Sequence, residues 1–354
     1  MQIRFLTSTP LDVRRGSGTY VGIHVLARAL EALGHTVRYE TPRVTLPVYT
    51  AQRLLFNRQL RPAPDCDLTV GFDMDGYRIA AGMPSHVASL KGVIADEVRF
   101  ESGLTRWTMS MQARRERLHV RRAARVLCTS RYSAERARDF YELPDLPGIV
   151  PELIDLREWK RLLEQFPAKS QRFTVLFVGR FYRRKRVDVL LRAAAVLSGR
   201  IPGLEVRIVG NGPCAEPLRK LASELKLEGA VSWLGDISRA ELVSEYNRAA
   251  VFCLPSVQEG FGIVLLEAMA AGKAIVTARA AAMPEVAPHA AFFEPDGVES
   301  LAAAIESLYA SPDARAEQGM TGTRWVEQFD APLVARRFLN AAAGVRVTSA
   351  ATKL

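Results

Sequence analysis

Apolar and polar positions along the chain follow two different periods. Runs rich in β-branched residues are typical of strands and occur at 3–8, 174–179, 204–210 and 274–278. Stretches with helical spacing separate such runs. In the helical stretch 19–33, which Gly34 ends, the apolar positions are Leu26, Ala29, Leu30 and Leu33. This alternation predicts an α/β fold in which helices cover parallel sheets.

The strand–helix pattern starts twice, at residue 2 and again at residue 173, which predicts two Rossmann-like, doubly wound parallel-sheet domains. Prolines and a charged stretch mark 144–172 as a linker in which neither period holds, and we expect the boundary within 155–170. The domains are therefore predicted as 1–160 and 161–330. Residues 331–354 are expected to form a C-terminal helix and tail, and a return of this helix to the N-terminal domain stays open.

The composition is that of a globular protein. The chain has 354 residues, of which 48% are hydrophobic and 24% are charged, and no apolar run approaches the roughly 20 residues of a membrane span. The N-terminus lacks the charged-then-apolar pattern of a signal peptide, so we expect a cytoplasmic protein. Four widely spaced cysteines fit neither a zinc site nor a disulfide framework and are expected to be buried free thiols: Cys66, Cys128, Cys214 and Cys253.

The formal net charge of +10 indicates an anionic partner, which includes nucleic acid, a phospholipid surface and a phosphorylated small molecule. Residues 111–125 hold six arginines and one glutamate, and a basic amphipathic helix of this kind is typical of membrane-surface binding. An ordinary solvent-exposed face is the alternative. The six are Arg114, Arg115, Arg117, Arg121, Arg122 and Arg125.

Two loops that follow first strands have the composition of ligand-binding loops. Gly16 and Gly18 allow close backbone approach, and the helix start behind them favours an anion, with a plain turn as the alternative. Residues 180–186 hold five cations at the carboxyl end of a predicted parallel strand, where doubly wound sheets bind ligands. Arginine and lysine complement a diphosphate, and a solvated basic loop is the alternative.

A third loop, 255–262, leads into a helix that contains Glu267. Glu259 and Glu267 are eight residues apart, so both carboxylates share one face if the helix begins at Glu259. A buried Glu267 needs a hydrogen-bonding partner, and sugar hydroxyls suit an ionised carboxylate. A local hydrogen bond at the edge of the core is the alternative.

Four segments resemble the C-terminal domain of retaining nucleotide-sugar glycosyltransferases with the GT-B fold, the "group 1" or family 4 set. They occur in the order and spacing of that family, at 174–191, 204–213, 231–236 and 250–277. The first half of the chain is similar only in its first strand, glycine loop and helix. The resemblance implies an α/β GT-B fold in which an N-terminal acceptor-binding domain and a C-terminal nucleotide-sugar-binding domain face a cleft.

The resemblance also implies roles for individual residues. Arg180 and Lys185 hold the donor diphosphate, Glu259 binds the transferred sugar, and these three form the catalytic set. Glu267 binds the ribose of the donor. Further donor contacts are implied for Gly16, Gly18, Gly210, Asn211, Gly212, Trp233, Leu234, Gly260, Phe261 and Gly262.

By the same resemblance, a hexose-type sugar moves with retention from a nucleoside diphosphate to a hydroxyl of a glycan, a lipid-linked or a small-molecule acceptor. The departing diphosphate helps to deprotonate the acceptor, and Arg180 and Lys185 stabilise its charge. Neither a cofactor nor a bound metal ion is therefore expected. Peripheral contact with the inner face of the membrane, through the arginine-rich segment, stays open.

Two features depart from the family or compete with it. Lys91 stands where many members have a histidine near the transferred sugar, and Asp96 follows it, so both are candidate sugar or acceptor contacts. Asp73 and Asp75 form a DxD, the metal-binding signature of the other large glycosyltransferase fold. Because two Rossmann-like halves disfavour that fold, we expect an acceptor contact or loop capping rather than a metal site.

Other functions stay open at this point. A phosphorylase-like or epimerase-like GT-B enzyme keeps the fold and changes the reaction. A basic nucleic-acid-binding protein uses the charge, but no nucleic-acid-binding motif accompanies it, and we expect no nucleic-acid partner. A catalytically silent subunit is expected to lack Arg180, Lys185 or Glu267, and all three are present.

Overall fold

The computed structural model describes residues 1–9, 18–63 and 65–343, in which strands and helices alternate. The strands are β1 (Gln2–Leu6), β2 (Thr36–Glu40), β3 (Leu68–Phe72), β4 (His86–Leu90), β5 (Arg125–Cys128), β6 (Gly148–Ile149), β7 (Thr174–Val178), β8 (Glu205–Val209), β9 (Val231–Gly235), β10 (Val251–Leu254), β11 (Ala274–Ala278) and β12 (Ala291–Phe293).

The α-helices are α1 (Gly18–Ala32), α2 (Tyr49–Gln59), α3 (Ile94–Glu97), α4 (Gly103–Arg122), α5 (Arg131–Tyr141), α6 (Leu156–Gln165), α7 (Val187–Ser198), α8 (Ala215–Glu224), α9 (Arg239–Arg248), α10 (Ile263–Ala270), α11 (Met283–Val286), α12 (Val298–Ala310), α13 (Pro312–Trp325) and α14 (Ala331–Ala343). None of the helices in the described part of the chain is long and apolar enough to cross a membrane.

The first compact unit contains Met1–Leu153 and α14. Its six strands form one parallel sheet in the order β2-β1-β3-β4-β5-β6. α14 packs against α1, and Val334 and Phe338 of α14 are buried in the same core as Ile23 of α1 and Phe5 of the sheet. Because the apolar positions of α14 complete this core, the last helix folds with the first unit.

The second unit contains Ile154–Asp330, and its six strands form a parallel sheet in the order β12-β11-β10-β7-β8-β9. Its central strands are apolar on both faces: Leu176 and Phe177 of β7 and Phe252 and Cys253 of β10 are fully buried. Such runs are typical of parallel strands covered by helices on both sides. The prediction of two Rossmann-like parallel sheets is confirmed.

The predicted elements correspond to observed ones. The four predicted strands are β1, β7, β8 and β11, and the predicted helix 19–33 is α1. All four cysteines are free, as predicted, but only Cys128 and Cys253 are buried, whereas Cys66 and Cys214 are half-buried. The tail predicted from residue 345 lies outside the described residues.

The segment 144–172 is not the irregular linker that its composition predicts. It contains β6 and α6, and α6 begins where the Asp155 side chain accepts a hydrogen bond from the Glu158 N–H (2.8 Å). Trp159 and Leu162 of α6 are buried. Burial of these two residues stabilises a helix that the charged residues around them obscure in the sequence.

The first unit ends at Leu153, before the predicted boundary at 160. Ile154 forms a parallel bridge with Asp330, and its N–H donates to the Phe329 carbonyl (3.0 Å). α6 packs on α9 and α10. These contacts place the start of 155–170 in the second unit, because its hydrogen bonds and packing are made there.

The strand order reverses once in each sheet, between β1 and β3 in the first unit and between β7 and β10 in the second. Open α/β sheets bind ligands at such a reversal, beyond the carboxyl ends of the strands, because the connections diverge there and leave a crevice. The loops after β7 and β10 are 179–186 and 255–262. The sequence-predicted loops of the second unit therefore lie at its reversal point.

Candidate functional site

The loops after β7 and β10 contact each other in the second unit. The Val257 N–H donates to the Arg184 carbonyl (2.9 Å), which fixes one loop against the other. Gly262 ends the second loop in the left-handed region (φ +88°) and is the N-cap of α10. Glycine has no Cβ penalty in that conformation, so it allows the sharp turn into the helix.

An ion pair between the half-buried Lys185 and the buried Glu259 joins these loops. Glu259 also accepts a hydrogen bond from the Ser256 hydroxyl (2.8 Å). Burial alone raises the pKa of Glu259, but the charges of Lys185 and Arg184 and the two hydrogen bonds outweigh it and lower the pKa below its usual value. Glu259 is therefore held as a carboxylate, and an ammonium is fixed beside it.

The five cations of 180–186 separate into groups. Arg180, the second residue after β7, is half-buried, and its side chain has no hydrogen bond or ion pair to the described residues. Arg184 lies over the Tyr182 ring at 5.2 Å. Arg186 instead pairs with Asp188 (3.1 Å) and Asp296. Of the two cations predicted to bind the diphosphate, Lys185 is paired and Arg180 is available.

Glycines allow the loop after β8 to approach the loop after β7. A Cβ at Gly210 would lie 2.1 Å from the Gly179 carbonyl oxygen, and one at Gly212 would lie 2.5 Å from the Phe181 nitrogen. The Phe181 N–H donates to the Asn211 carbonyl (3.0 Å) across this contact. Loop packing thus explains both glycines, and their contact with the donor stays a prediction.

Aromatic rings support the same loops. Phe181 is buried edge-to-face against Trp233 of β9 (5.8 Å), and Arg219 lies over the Trp233 ring at 5.1 Å. Leu234, the next residue of β9, is half-buried. Phe261 is buried against Phe329 (5.6 Å). The Phe261 side chain belongs to the core, so only the backbone of Gly260–Gly262 is left to face a ligand.

Glu267 is buried in α10 and has two partners that the sequence does not reveal. The Tyr246 hydroxyl donates to its Oε2 (2.9 Å), and Arg239 Nη1 lies 3.4 Å from its Oε1. Burial raises the pKa of Glu267, and Arg239 and Tyr246 only partly oppose that effect. Because α10 begins at Ile263, Glu259 lies in the preceding loop and the two glutamates do not share a helix face.

Most predicted residues of the first unit are held inside it. Gly16 lies outside the described residues, and Gly18 is the exposed first residue of α1. Lys91 forms an ion pair with Glu152 (3.0 Å), and the two side chains are only 6% and 7% exposed. Lys91 therefore has an acidic partner of its own at the position of the family's histidine.

The structure corrects the predictions for Asp75 and Asp96. Asp75 is fully buried and accepts from the N–H and hydroxyl of Ser8 (both 2.6 Å) and from Asn57 (2.8 Å). Asp96 is also fully buried and accepts from Tyr132 (2.6 Å) and Arg99 (3.0 Å). Both carboxylates satisfy donors of the chain, so neither is placed to contact an acceptor.

The described surroundings of the DxD do not form a metal site. Among the residues that the structure describes, no three His, Cys, Asp or Glu side chains are grouped to hold a metal ion. Asp73, the other member of the DxD, keeps a side chain that is 15% exposed. Among the three described carboxylates that were predicted to contact an acceptor, only that of Asp73 reaches the surface.

The arginine-rich segment is mostly α4, which begins at Gly103 and ends at Arg122, while Arg125 begins β5. Arg117 and Arg121 pair with Glu142. Arg115 lies over the Tyr77 ring (5.8 Å), and Arg122 donates to the Tyr77 carbonyl (3.3 Å). Arg114 is exposed. The sequence interpretation missed the exposed apolar residues at the start of the same helix, Leu104 and Trp107.

The family model described as "Glycosyl transferases group 1" matches residues 160–325. The matched residues lie within the second unit, which is therefore similar to this family. A "GDP-mannose-dependent alpha-(1-6)-phosphatidylinositol monomannoside mannosyltransferase" of Mycobacterium tuberculosis is 32% identical over 167 residues, which are 44% of this chain and 43% of that protein. The chain thus spans about half the length of the curated relatives that it matches.

Two solved structures show the same fold. A sucrose-phosphate synthase of Thermosynechococcus elongatus has a TM-score of 0.79 and 19% identity, over 98% of this chain and 100% of that one. Anabaena Alr3699/HepE, in complex with UDP and glucose, has a TM-score of 0.71 and 17% identity, again over 98% and 100%. The predicted GT-B fold is confirmed.

In the second unit, the close approach of the loops after β7 and β8 predicts a steric effect. Gly212→Ala is expected to destabilise the protein by about 1–3 kcal/mol, because the added Cβ must displace the backbone at Phe181. Gly229→Ala is the matched control, since a Cβ there meets open space. Thermal unfolding of both variants checks this, and equal melting temperatures would contradict the packing described.

Proposed function

We propose that the chain is a retaining glycosyltransferase that moves a hexose-type sugar from a nucleoside diphosphate to a hydroxyl acceptor without a bound metal ion. One observation carries this proposal. In the part of the chain that matches the glycosyl transferases group 1 model, the Lys185–Glu259 ion pair and Arg180 lie on the two loops at the point where the strand order reverses.

The diphosphate is expected to bind to cations and to backbone amides. Arg180 has a guanidinium with no competing carboxylate among the described residues, and Lys185 carries an ammonium, which has three N–H donors. The N-terminus of α10, which begins after Gly262, adds a positive dipole end. Charge that develops on the departing diphosphate is stabilised by these fixed groups, which is why no metal ion is needed.

The two glutamates suit sugar hydroxyls in different ways. Lys185 holds Glu259 in its ionised form. The carboxylate of Glu259 accepts hydrogen bonds from the side chains of Lys185 and Ser256, which leaves further acceptor sites for the transferred sugar. Glu267 accepts a hydrogen bond of 2.9 Å from the Tyr246 hydroxyl, whereas its contact with Arg239, at 3.4 Å, is at the limit of hydrogen-bond distance. A ribose hydroxyl is expected to replace the weaker of these contacts.

The donor and acceptor classes are proposed from the relatives. The mycobacterial relative is named for its dependence on GDP-mannose, and the Anabaena protein was solved in complex with UDP and glucose. We therefore propose GDP-mannose and UDP-glucose as the first donors to test. Inositol phosphates and phosphatidylinositol are the first acceptors, since the names of curated relatives contain them.

Lys185→Ala and Arg180→Ala are each expected to weaken donor binding at least about tenfold, or about 1.4 kcal/mol, because each removes a diphosphate-binding cation. The measurement is the rise in melting temperature with GDP-mannose or UDP-glucose, since a ligand that binds only the folded state stabilises it. The rise is expected to be the same in EDTA as in magnesium.

Lys220→Ala is the control for this experiment, because Lys220 of α8 is 79% exposed and lies in the same unit. Donor shifts that are equal in all variants would place the diphosphate elsewhere. A wild-type protein that neither sugar nucleotide stabilises would overturn these donor classes.

We also propose peripheral binding of α4 to an anionic membrane surface. Leu104 and Trp107 are 75% and 61% exposed, and Arg114 and Arg121 follow Trp107 at intervals of seven residues, which places all three on one face. Glu116, the only acidic residue of α4, is fully buried. An exposed tryptophan beside arginines is suited to the interface between lipid headgroups and water.

Trp107→Ser combined with Arg114→Glu is expected to lower binding to phosphatidylglycerol vesicles at least about tenfold. Each basic residue near an anionic membrane surface contributes roughly 1 kcal/mol to binding, and reversing its charge costs more than removing it. Vesicle sedimentation measures this. Arg324→Glu, on the exposed surface of α13, is the control for a change in net charge. Equal loss in both variants would mean that α4 is not the binding surface.

A further inference from the structure

Arg53 of α2 has one donor group that is buried without a hydrogen bond. Its side chain is only 5% exposed, its Nε donates to the Ser8 hydroxyl (3.0 Å) and its Nη1 donates to Gln112 (3.0 Å). Its Nη2 has no hydrogen-bond partner among the described residues. A buried N–H group without a partner costs free energy, so it indicates a missing acceptor.

An acceptor oxygen lies close to this donor but too far away for a direct bond. Arg53 Nη2 is 3.9 Å from Asp73 Oδ2 and 3.6 Å from Asp75 Oδ2. Both oxygens of Asp75 already accept hydrogen bonds, from Ser8 and Asn57. Asp73 Oδ2, in contrast, accepts none from the part of the chain that the structure describes.

The chain holds Asp73 in place through two contacts. The Lys91 N–H donates to its Oδ1 (2.9 Å), and His119 Nδ1 lies 2.5 Å from its carbonyl oxygen. Its φ of +52° is in the left-handed region, which aspartate adopts more readily than most residues other than glycine. These contacts fix the carboxylate beside Arg53.

We propose that Arg53 and Asp73 bind one hydroxyl group of a sugar or cyclitol acceptor, which accepts from Arg53 Nη2 and donates to Asp73 Oδ2. A hydroxyl oxygen about 2.8 Å from both atoms satisfies the unpaired donor and the free acceptor together. The site follows β3, next to the reversal point of the first sheet. That the ligand is the acceptor rests on the proposed glycosyltransferase function.

The surroundings of Asp73 make this binding dependent on pH. Burial raises the pKa of Asp73 to about 6, with further contributions from Asp75 and from Glu97 of α3. Arg53 of α2 and the Lys91 N–H oppose the rise.

The buried Glu116 of α4 also interacts with Asp73, and burial and the charge of Asp73 raise the pKa of Glu116 well above its usual value. His119 of α4 faces the Asp73 backbone and stays neutral, because burial lowers its pKa to about 4. As a carboxylate, Asp73 accepts the hydrogen bond that the ligand hydroxyl donates. The affinity for the hydroxyl ligand is therefore highest well above pH 6 and falls as the pH drops through that value.

The test measures binding of myo-inositol and methyl α-D-mannopyranoside by saturation-transfer NMR. At pH 8 the wild type is expected to bind at least one of them, and binding falls about tenfold at pH 5, one unit below the pKa of Asp73. Asp73→Asn and Asp73→Gly are expected to lose at least about tenfold in affinity at pH 8. Asp139→Asn, on the exposed surface of α5, is the control.

Thermal unfolding separates ligand binding from a structural role. The raised pKa means that the folded protein disfavours ionised Asp73, so Asp73→Asn is expected to have a melting temperature at pH 8 no lower than that of the wild type. Asp73→Gly is also expected to keep its melting temperature, because glycine adopts the φ of this position without strain. A fall in melting temperature in both variants would assign Asp73 a structural role and overturn the inference.

Two other outcomes are also decisive. If the wild type binds neither polyol at pH 8, the space between Arg53 and Asp73 is not a hydroxyl-binding site and the inference fails. Stabilisation by a sugar nucleotide would still support the proposed function in that case. If a polyol binds but no sugar nucleotide stabilises the protein, the hydroxyl site stands and the glycosyltransferase proposal fails.

Discussion

The ion pair between Lys185 and Glu259 is the interaction on which the candidate site depends. The two residues come from loops that leave neighbouring strands in divergent directions, and their pairing ties those loops together. A carboxylate that is buried as Glu259 is would be unfavourable without a partner, and the charge of Lys185 keeps it ionised. The result is a carboxylate and an ammonium held side by side before any ligand arrives, which removes most of the cost of ordering them on binding.

Much of the second unit can be predicted from sequence because its signals are local. Strands such as β7 and β11 are short apolar runs, and the cations and glycines of the loops follow them directly. The position of Lys185 and Glu259 at one sheet edge follows from parallel topology alone. Their pairing with each other does not, because it depends on how two loops separated by 74 residues pack.

Other features depend on packing that no local pattern reports. The composition of α6 predicts a linker because its charged residues mask the two that are buried, Trp159 and Leu162. The partners of Glu267 come from another helix. In the first unit, the DxD spacing of Asp75 predicts a ligand contact, but Ser8 and Asn57 bring three donors to it. Short motifs identify a residue type, whereas its partners decide whether it faces a ligand or the core.

The function proposed for this chain requires the loops after β7 and β10 to bind the diphosphate of a sugar nucleotide. A crystal structure of the protein with a bound nucleoside diphosphate tests this requirement most directly. Phosphate oxygens are expected within hydrogen-bond distance of the Arg180 guanidinium and the Lys185 ammonium, next to the amides that begin α10. A diphosphate bound away from both cations, in either unit, would contradict the proposal.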